Sequence, residues 1–191
     1  MEVSEAIRRR RSIRKFKDQR VPREDLIELV DYARLAPTGM NKQPIEFVII
    51  DEPEVEQNFF DFTSWAGAVD WDPDLEDRPR AYVLILINPS VKPVTEKHDA
   101  GLAAGNICLG AVSKGLGSCL QVPAKKGEIK ELLSVPQNRV VDLAVGLGYP
   151  DQESKLEDEM DSVDYWLDRE GVVHVPKRSL EQVLHINNWE G

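Results

Sequence analysis

From Lys97 to Lys114 the chain reads as its longest helix, carrying Ala100, Gly101, Ala103, Ala104, Gly105, Gly110 and Ala111. Small side chains let neighbouring backbone come close. A helix of this composition is expected at the centre of the protein, with the other elements packed around it. Gly115-Leu-Gly117 ends it, a glycine taking the left-handed position that closes a helix.

Around that helix the remaining elements follow from local signals. Val3 to Arg11 reads as a short helix ending near Ser12. Pro22 with Arg23-Glu-Asp opens the next, because proline suits the first turn and acids favour the positive end of the dipole. Leu26, Leu29, Val30 and Ala33 recur along it at helical spacing, and it stops before Pro37. Pro37 to Pro44 is a polar loop, followed by a strand from Glu46 to Ile50, a helix from Pro53 to Phe62 and an irregular Trp-, Asp- and Pro-rich tract to Pro79. Such long loops are usually functional or mobile. Strands are expected at 81–87, 118–122 and 140–145, and a short helix from Lys126 to Leu133.

Beyond Pro150 the reading changes. Asp151 to Asp164 is acidic and irregular, Val172 to Arg178 is extended, and Ser179 caps a last helix through Leu184. Roughly four strands and six helices, with the strands scattered, predict a layered α+β fold. One domain covers residues 1–191, with 151–191 as a C-terminal arm.

Composition narrows the function. A net charge of −10 opposes general affinity for nucleic acid, whose binding is driven by neutralising phosphates. The block Arg8 to Arg11 would by reflex be a localisation signal or nucleic-acid arm, or a solvated helix face. It is, however, embedded in a helical pattern and followed at once by Ser12-Ile-Arg-Lys-Phe16. No apolar run approaches the roughly 20 residues of a membrane helix, and Met-Glu-Val-Ser-Glu lacks a signal-peptide layout. Cys108 and Cys119 lie in apolar surroundings without metal spacing, so they are expected in the core of a protein from a reduced, cytoplasmic compartment. No metal site is expected, nor a membrane partner.

Three features carry chemistry. Arg10-Arg11-Ser12-Ile13-Arg14 offers guanidinium forks and a hydroxyl at a helix end, an anion receptor by composition. Pro37-Thr38-Gly39-Met40-Asn41-Lys42-Gln43-Pro44 presents hydroxyl and amide groups that could meet the edge of a planar heterocycle. Pro176-Lys177-Arg178-Ser179 is basic and beside an expected helix start, where amides would add to the charge. Read blandly, these are a basic surface, a helix–strand connector and a helix cap.

In combination, the chain resembles the nitroreductase family of FMN-dependent oxidoreductases along almost its whole length. The resemblance is carried by Arg-Arg-Ser-x-Arg-x-Phe at Arg10 to Phe16 and Ala-Pro-Thr-x-x-Asn-x-Gln-Pro at Ala36 to Pro44. It continues through Asp-x-Gly-x-Ala-x-x-Asn at Asp99 to Asn106, Gly115-Leu-Gly-Ser118, Gly148-Tyr-Pro150 and the late pair Lys177-Arg178. It implies a mostly antiparallel sheet flanked by helices and a homodimer exchanging its C-terminal arm. By resemblance, Arg10, Arg11, Ser12 and Arg14 would hold the phosphate, ribityl chain and pyrimidine edge of FMN. Pro37, Thr38, Asn41 and Gln43 would reach the flavin of the other subunit. Lys177 and Arg178 would complete the phosphate site, and Leu120, Gln121 and Val122 would set backbone groups near the flavin's reactive nitrogen.

Two departures stand out. Some members supply an Asn and a Lys from the region before the second strand, and neither aligns within Trp65 to Arg80. Others carry Glu-Gly where this chain has Val122-Pro123, and proline has no amide hydrogen to donate.

The resemblance further implies NADH or NADPH as electron donor and a quinone, nitroaromatic or related acceptor, in a ping-pong hydride transfer. A flavin carries the difficult chemistry, which accords with the lack of any convincing Ser-His-Asp set, carboxylate pair or reactive thiol. Cations around the ring would stabilise negative charge developing there. The tract 59–79 and the arm around Tyr165-Trp166 are expected to shape the pocket, with Trp65, Trp71 and Trp166 either stacking on a flat acceptor or anchoring loops. The alternatives are a specialised relative that fragments flavin or removes halogen, and a non-catalytic FMN-binding or regulatory module.

Overall fold

The computed structural model describes residues 1–65, 73–158 and 162–189. Trp71 and part of the acidic stretch, 159–161, lie outside them. The chain divides into two compact units, one built from Met1–Trp65 with Pro73–Asp151 and the other mainly from Gln152–Gly191.

The first unit holds α1 (Val3–Arg9), α2 (Arg23–Arg34), β1 (Ile45–Ile50), α3 (Pro53–Phe60), β2 (Ala81–Ile87), α4 (Glu96–Ser113), β3 (Gly117–Gln121), α5 (Lys126–Leu132) and β4 (Val140–Gly148). Its four strands form one sheet in the order β1-β2-β4-β3, every pair antiparallel. All seven residues of β2 are buried. Side chains alternate across a strand, so Val83 and Ile85 face α2 and α4, while Tyr82 and Leu84 face α3 and α5. An inner strand covered by helices on both faces is expected to be apolar along its length, and in 81–87 the Tyr82 hydroxyl is the one polar side-chain group. Each fully buried Leu, Ile or Val there contributes about 1.5–3 kcal/mol.

α4 occupies the place its composition demands. Ala100, Ala103, Ala104, Ile107 and Ala111 pack into the core with Leu26, Leu29 and Ala33 of α2. At Gly110 a Cβ would come within 2.7 Å of both Leu29 and Tyr32, so α2 can lie as close as it does only over a bare backbone. Lys114 ties the same pair of helices through Asp25 at 2.8 Å and Glu28 at 2.5 Å.

The second unit contains β5 (Ser154–Asp158), β6 (Trp166–Leu167) and β7 (Val173–Lys177), with β5 parallel and β6 antiparallel to β7. Asp168 shapes the β6–β7 turn: its Oδ1 accepts from the amides of Glu170 and Val172, both at 2.9 Å. Gly171 supplies the left-handed residue, φ +83°.

Several expectations need correction. The stretch from Asp151 is not irregular throughout, because Ser154–Asp158 pairs with β7. Ser179 does not cap a helix. Leu180 accepts from the amides of Val183 and Leu184, closing a single turn, and Leu180, Val183 and Leu184 stay exposed. A turn with no buried apolar face has nothing to propagate it. α1 ends at Arg9 rather than Arg11, since Arg10 leaves helical geometry with ψ 122°.

Candidate functional site

After α1 the chain runs extended along the ends of β3 and β4. Ser12 bridges Ser118 in parallel, Phe16 bridges Pro150, and Lys17 donates its amide to the Tyr149 carbonyl at 2.9 Å. Ile13 and Phe16 are the buried anchors of this segment. The opposing positions are glycines: a Cβ at Gly117 would sit 2.9 Å from Ile13 Cγ1, and one at Gly148 would sit 2.8 Å from Phe16 Cδ1. Three separate sequence motifs, Arg10 to Phe16, Gly115 to Ser118 and Gly148 to Pro150, are therefore one packed unit. That unit sets Arg10, Ser12 and Arg14 beside β3.

The arginines of the block differ in what they do. Arg11 turns back and donates to the carbonyls of Arg8 and Arg10, closing the carbonyl end of α1. Its guanidinium pKa is lowered, first by burial and then by the charge of Arg10. The charge of Arg10 is felt at Cys108 on α4 and that of Arg14 at Cys119 on β3. Both thiols are buried. Burial raises the pKa of Cys108, and that of Cys119 is pushed up to about 11, so both stay protonated at neutral pH. They are core residues, as expected.

β3 is one of the two edge strands of the sheet, opposite β1. Leu120 and Val122 are exposed, whereas Gln121 is buried, and its Oε1 and Nε2 have no hydrogen-bond partner. An amide left so inside a protein costs about 1–3 kcal/mol unless something satisfies it.

Loop 37–44 is held at the other end of α4. Asp99 Oδ1 accepts from the Gly39 amide at 3.1 Å and the Thr95 hydroxyl at 2.8 Å. A Cβ at Gly39 would fall 2.1 Å from Thr95 Oγ1, so that position must be glycine. The Thr38 hydroxyl accepts from the Gln43 amide at 3.1 Å. Met40, Asn41 and Gln43 all have positive φ, between 48° and 53°, and Pro37, Asn41 and Gln43 are exposed. The sequence pattern contained Asp99 but did not reveal it as the latch of this loop, because a hydrogen bond across 60 residues leaves no local signature.

Asp99 and Cys108 stand nine residues apart on α4, about 14 Å along its axis at 1.5 Å per residue. Within one chain, then, the loop and the arginine segment are brought to different levels of the same helix. Lys177 and Arg178 close β7 in the second unit, both exposed.

A four-stranded antiparallel sheet between two helical layers, with an arginine-bearing strap along one edge strand, defines the α+β scaffold of the first unit. A solved FMN-dependent nitroreductase from Clostridium difficile shares it, with a TM-score of 0.72 and 26% identity over 96% of this chain and 98% of that one. Residues 7–149 match the Nitroreductase family, and the chain belongs to that family. Among characterised proteins it is similar to an iodotyrosine deiodinase of Thermotoga neapolitana, 28% identical over 75% of this chain and 86% of that protein. It is also similar to an NADH dehydrogenase of Thermus thermophilus, 26% identical over 80% of this chain and 89% of that protein.

Proposed function

We propose that the chain is an FMN-dependent oxidoreductase that takes electrons from NADH or NADPH and passes them to a quinone, nitroaromatic or related small acceptor. The observation that carries this is the arginine segment 10–14 laid along β3, where the buried amide of Gln121 has an unused donor and an unused acceptor. Cationic forks for a phosphate, a hydroxyl for a polyol and an amide for a heterocycle make a donor set that fits FMN. FMN, when bound, supplies reversible hydride chemistry, so electrons can arrive from one substrate and leave to another in separate half-reactions.

The protein's part is binding and orientation. Arg10 and Arg14 hold the phosphate, joined by Lys177 and Arg178, and Ser12 meets the ribityl chain. Leu120 to Val122 line the ring. Pro123 has no N–H, so Val122 offers the last amide of that strand end. Arg11 contributes by holding the end of α1 in place.

The protein works as a homodimer in this reading. Pro37, Thr38, Asn41 and Gln43 serve the partner's flavin, a division supported by their distance along α4 from the arginines. α4 also shows an open apolar side: Leu102 is exposed, and a side chain at Gly101 or Gly105 would meet no described atom within 4 Å. Val3 and Ile7 of α1 add exposed apolar surface. Such a face is suited to a second copy. Residues 151–191 form the exchanged arm, supported by the exposed Leu180, Val183, Leu184, Ile186 and Trp189 after β7. A cytoplasmic setting accords with two free, buried thiols and with the absence, among the described residues, of any helix long and apolar enough to cross a membrane.

Anaerobic mixing with NADH and with NADPH should bleach the flavin absorbance, and a quinone or nitroaromatic should restore it. A yellow protein reduced by neither nicotinamide would support a non-catalytic FMN module instead. Re-oxidation by a halotyrosine, but by neither other class, would favour the dehalogenating reading that similarity to a deiodinase raises.

A further inference from the structure

One face of the β5–β7–β6 sheet carries a groove of about 440 Å³, within the range of about 300–1,000 Å³ that small-molecule sites occupy. Trp166 lies opposite His174 across β6 and β7, and Glu157 lies opposite Pro176 across β5 and β7. Residues two apart on a strand share a face, and all four line the groove. Two of them are open to solvent: Trp166 is 48% exposed and the Glu157 side chain 41%.

The sheet already holds one flat ring in this place. His174 lies parallel to the Trp166 indole, 3.9 Å away with 3° between the planes, and its two nitrogens meet Glu157 and Asp168. Those two carboxylates are thereby committed, and Lys155 leans to Glu153 at 3.5 Å. Asp158 and Asp164 also line the groove, are exposed, and stand outside these ion pairs. Asp164 is held in position: its Oδ2 accepts from the Ser162 hydroxyl at 2.9 Å, and its amide donates to the same hydroxyl at 3.0 Å. The described lining therefore offers an indole and surplus negative charge, with His174 as its one cation. An aromatic face attracts a cation. A guanidinium is planar, so it both stacks on such a ring and presents a two-pronged fork to a carboxylate.

We infer that this groove is a binding site for a small guanidinium compound, whose plane stacks on Trp166 and whose N–H fork is met by the carboxylate of Asp164. His174 steadies the indole through its own stack, and Asp158 adds to the attracting charge. The site lies wholly within the second unit. It uses none of the residues given to the flavin, and it stands without the flavin reading.

The test uses the purified full-length protein, titrated with propylguanidinium and with the neutral, equally planar propylurea, and followed by ligand-observed NMR and calorimetry. Propylguanidinium should bind saturably, at least about tenfold tighter than the urea, a difference of about 1.4 kcal/mol. Asp164→Asn keeps an oxygen for the Ser162 hydroxyl but removes the charge, so it should reduce that preference to about threefold or less. Trp166→Leu keeps an apolar side chain but removes the plane, and should weaken propylguanidinium at least about fivefold. Equal binding of the two ligands by the unaltered protein would overturn the inference, as would no saturable binding near about 10 mM, well above a millimolar Kd. Undiminished preference in the Asn variant, or undiminished affinity in the Leu variant, would do the same. Should the Leu variant fail to fold, the comparison of the two ligands on the unaltered protein and on Asp164→Asn still decides.

Discussion

Ile13 donates its backbone N–H to the Ser118 carbonyl at 2.9 Å, directly above the bare backbone of Gly117. The strap that bears the arginines and the edge strand β3 thus move together. Gly117→Ala would push a methyl to within 2.9–3.1 Å of three Ile13 carbons. Overpacking of this kind costs about 1–3 kcal/mol. The expected outcome is a lower melting temperature together with flavin lost on gel filtration.

Replacing Arg10, Arg14 or Arg178 by alanine should weaken FMN binding about ten- to a hundredfold each, as charge-assisted bonds of about 1.5–3 kcal/mol imply. Riboflavin, lacking the phosphate, should respond far less. Arg11→Ala should behave differently, lowering thermal stability and affecting both flavins alike, because Arg11 serves the carbonyls of Arg8 and Arg10. Titration of apo-protein with both flavins reads all four variants. Equal losses for FMN and riboflavin at Arg10, Arg14 and Arg178 would remove the phosphate assignment.

Sedimentation should find a dimer at micromolar concentration, with an interface above about 2,000 Å² in the obligate class. Leu102→Glu, on the open side of α4, should yield monomer and release flavin in the same step. A flavin-loaded monomer would refute the two-chain site.

His174 gives the second unit a pH dependence. Its Nδ1 lies 2.6 Å from Glu157 Oε1 and its Nε2 3.1 Å from Asp168 Oδ2. Carboxylates only accept, so the two ring nitrogens donate together only in the imidazolium form, which the two carboxylates favour. Trp166 stacks on it at 3.9 Å. Lys155, opposite in the β5–β7 register, is the nearby cation and leans to Glu153. The pKa is raised, chiefly by Glu157 and then by Asp168. A raised pKa means that the stabilisation is fully present below the ordinary histidine value, near 6.5, and is lost as pH climbs through the folded one. NMR titration of the His174 ring should give a midpoint above 6.5, and the order of β5–β7 should decline at alkaline pH. His174→Gln should abolish that dependence.

Arg78 and Glu56 form a largely buried ion pair at 2.6 Å. Burial raises the pKa of Glu56, against the opposing pull of Arg78. Arg78→Met would leave a lone buried carboxylate, costing about 3–5 kcal/mol at neutral pH. The deficit should shrink from about pH 8 to about pH 5, because a protonated Glu56 needs no partner. Denaturant melts at the two pH values check it.

What the sequence made legible was whatever rests on local pattern. The apolar run 81–87 was legible as a strand and the small residues of α4 as a central helix, while the inner place of the strand came from its pairing with β1 and β4. The arginine segment and loop 37–44 were readable as polar constellations. What they rest on was not: the glycines at 117 and 148 serve partners far away in sequence, and Arg11 resembles its neighbours until its guanidinium is seen to fold back. The strand Ser154–Asp158 was hidden because its pairing with β7 is parallel and set by tertiary contact. The helix expected after Ser179 had local signals, but its apolar side chains Leu180, Val183 and Leu184 stay exposed.

Loop 37–44 also bears on how this protein tolerates change. Met40 sits at φ 52° with 79% of its surface exposed, a conformation that costs a non-glycine residue about 1–2 kcal/mol and returns no packing. Met40→Gly should therefore raise the stability of the isolated chain. Natural sequences commonly forgo such gains where activity needs a constrained backbone. A screen for thermostability would enrich glycine at residue 40, and a screen for turnover would remove it again.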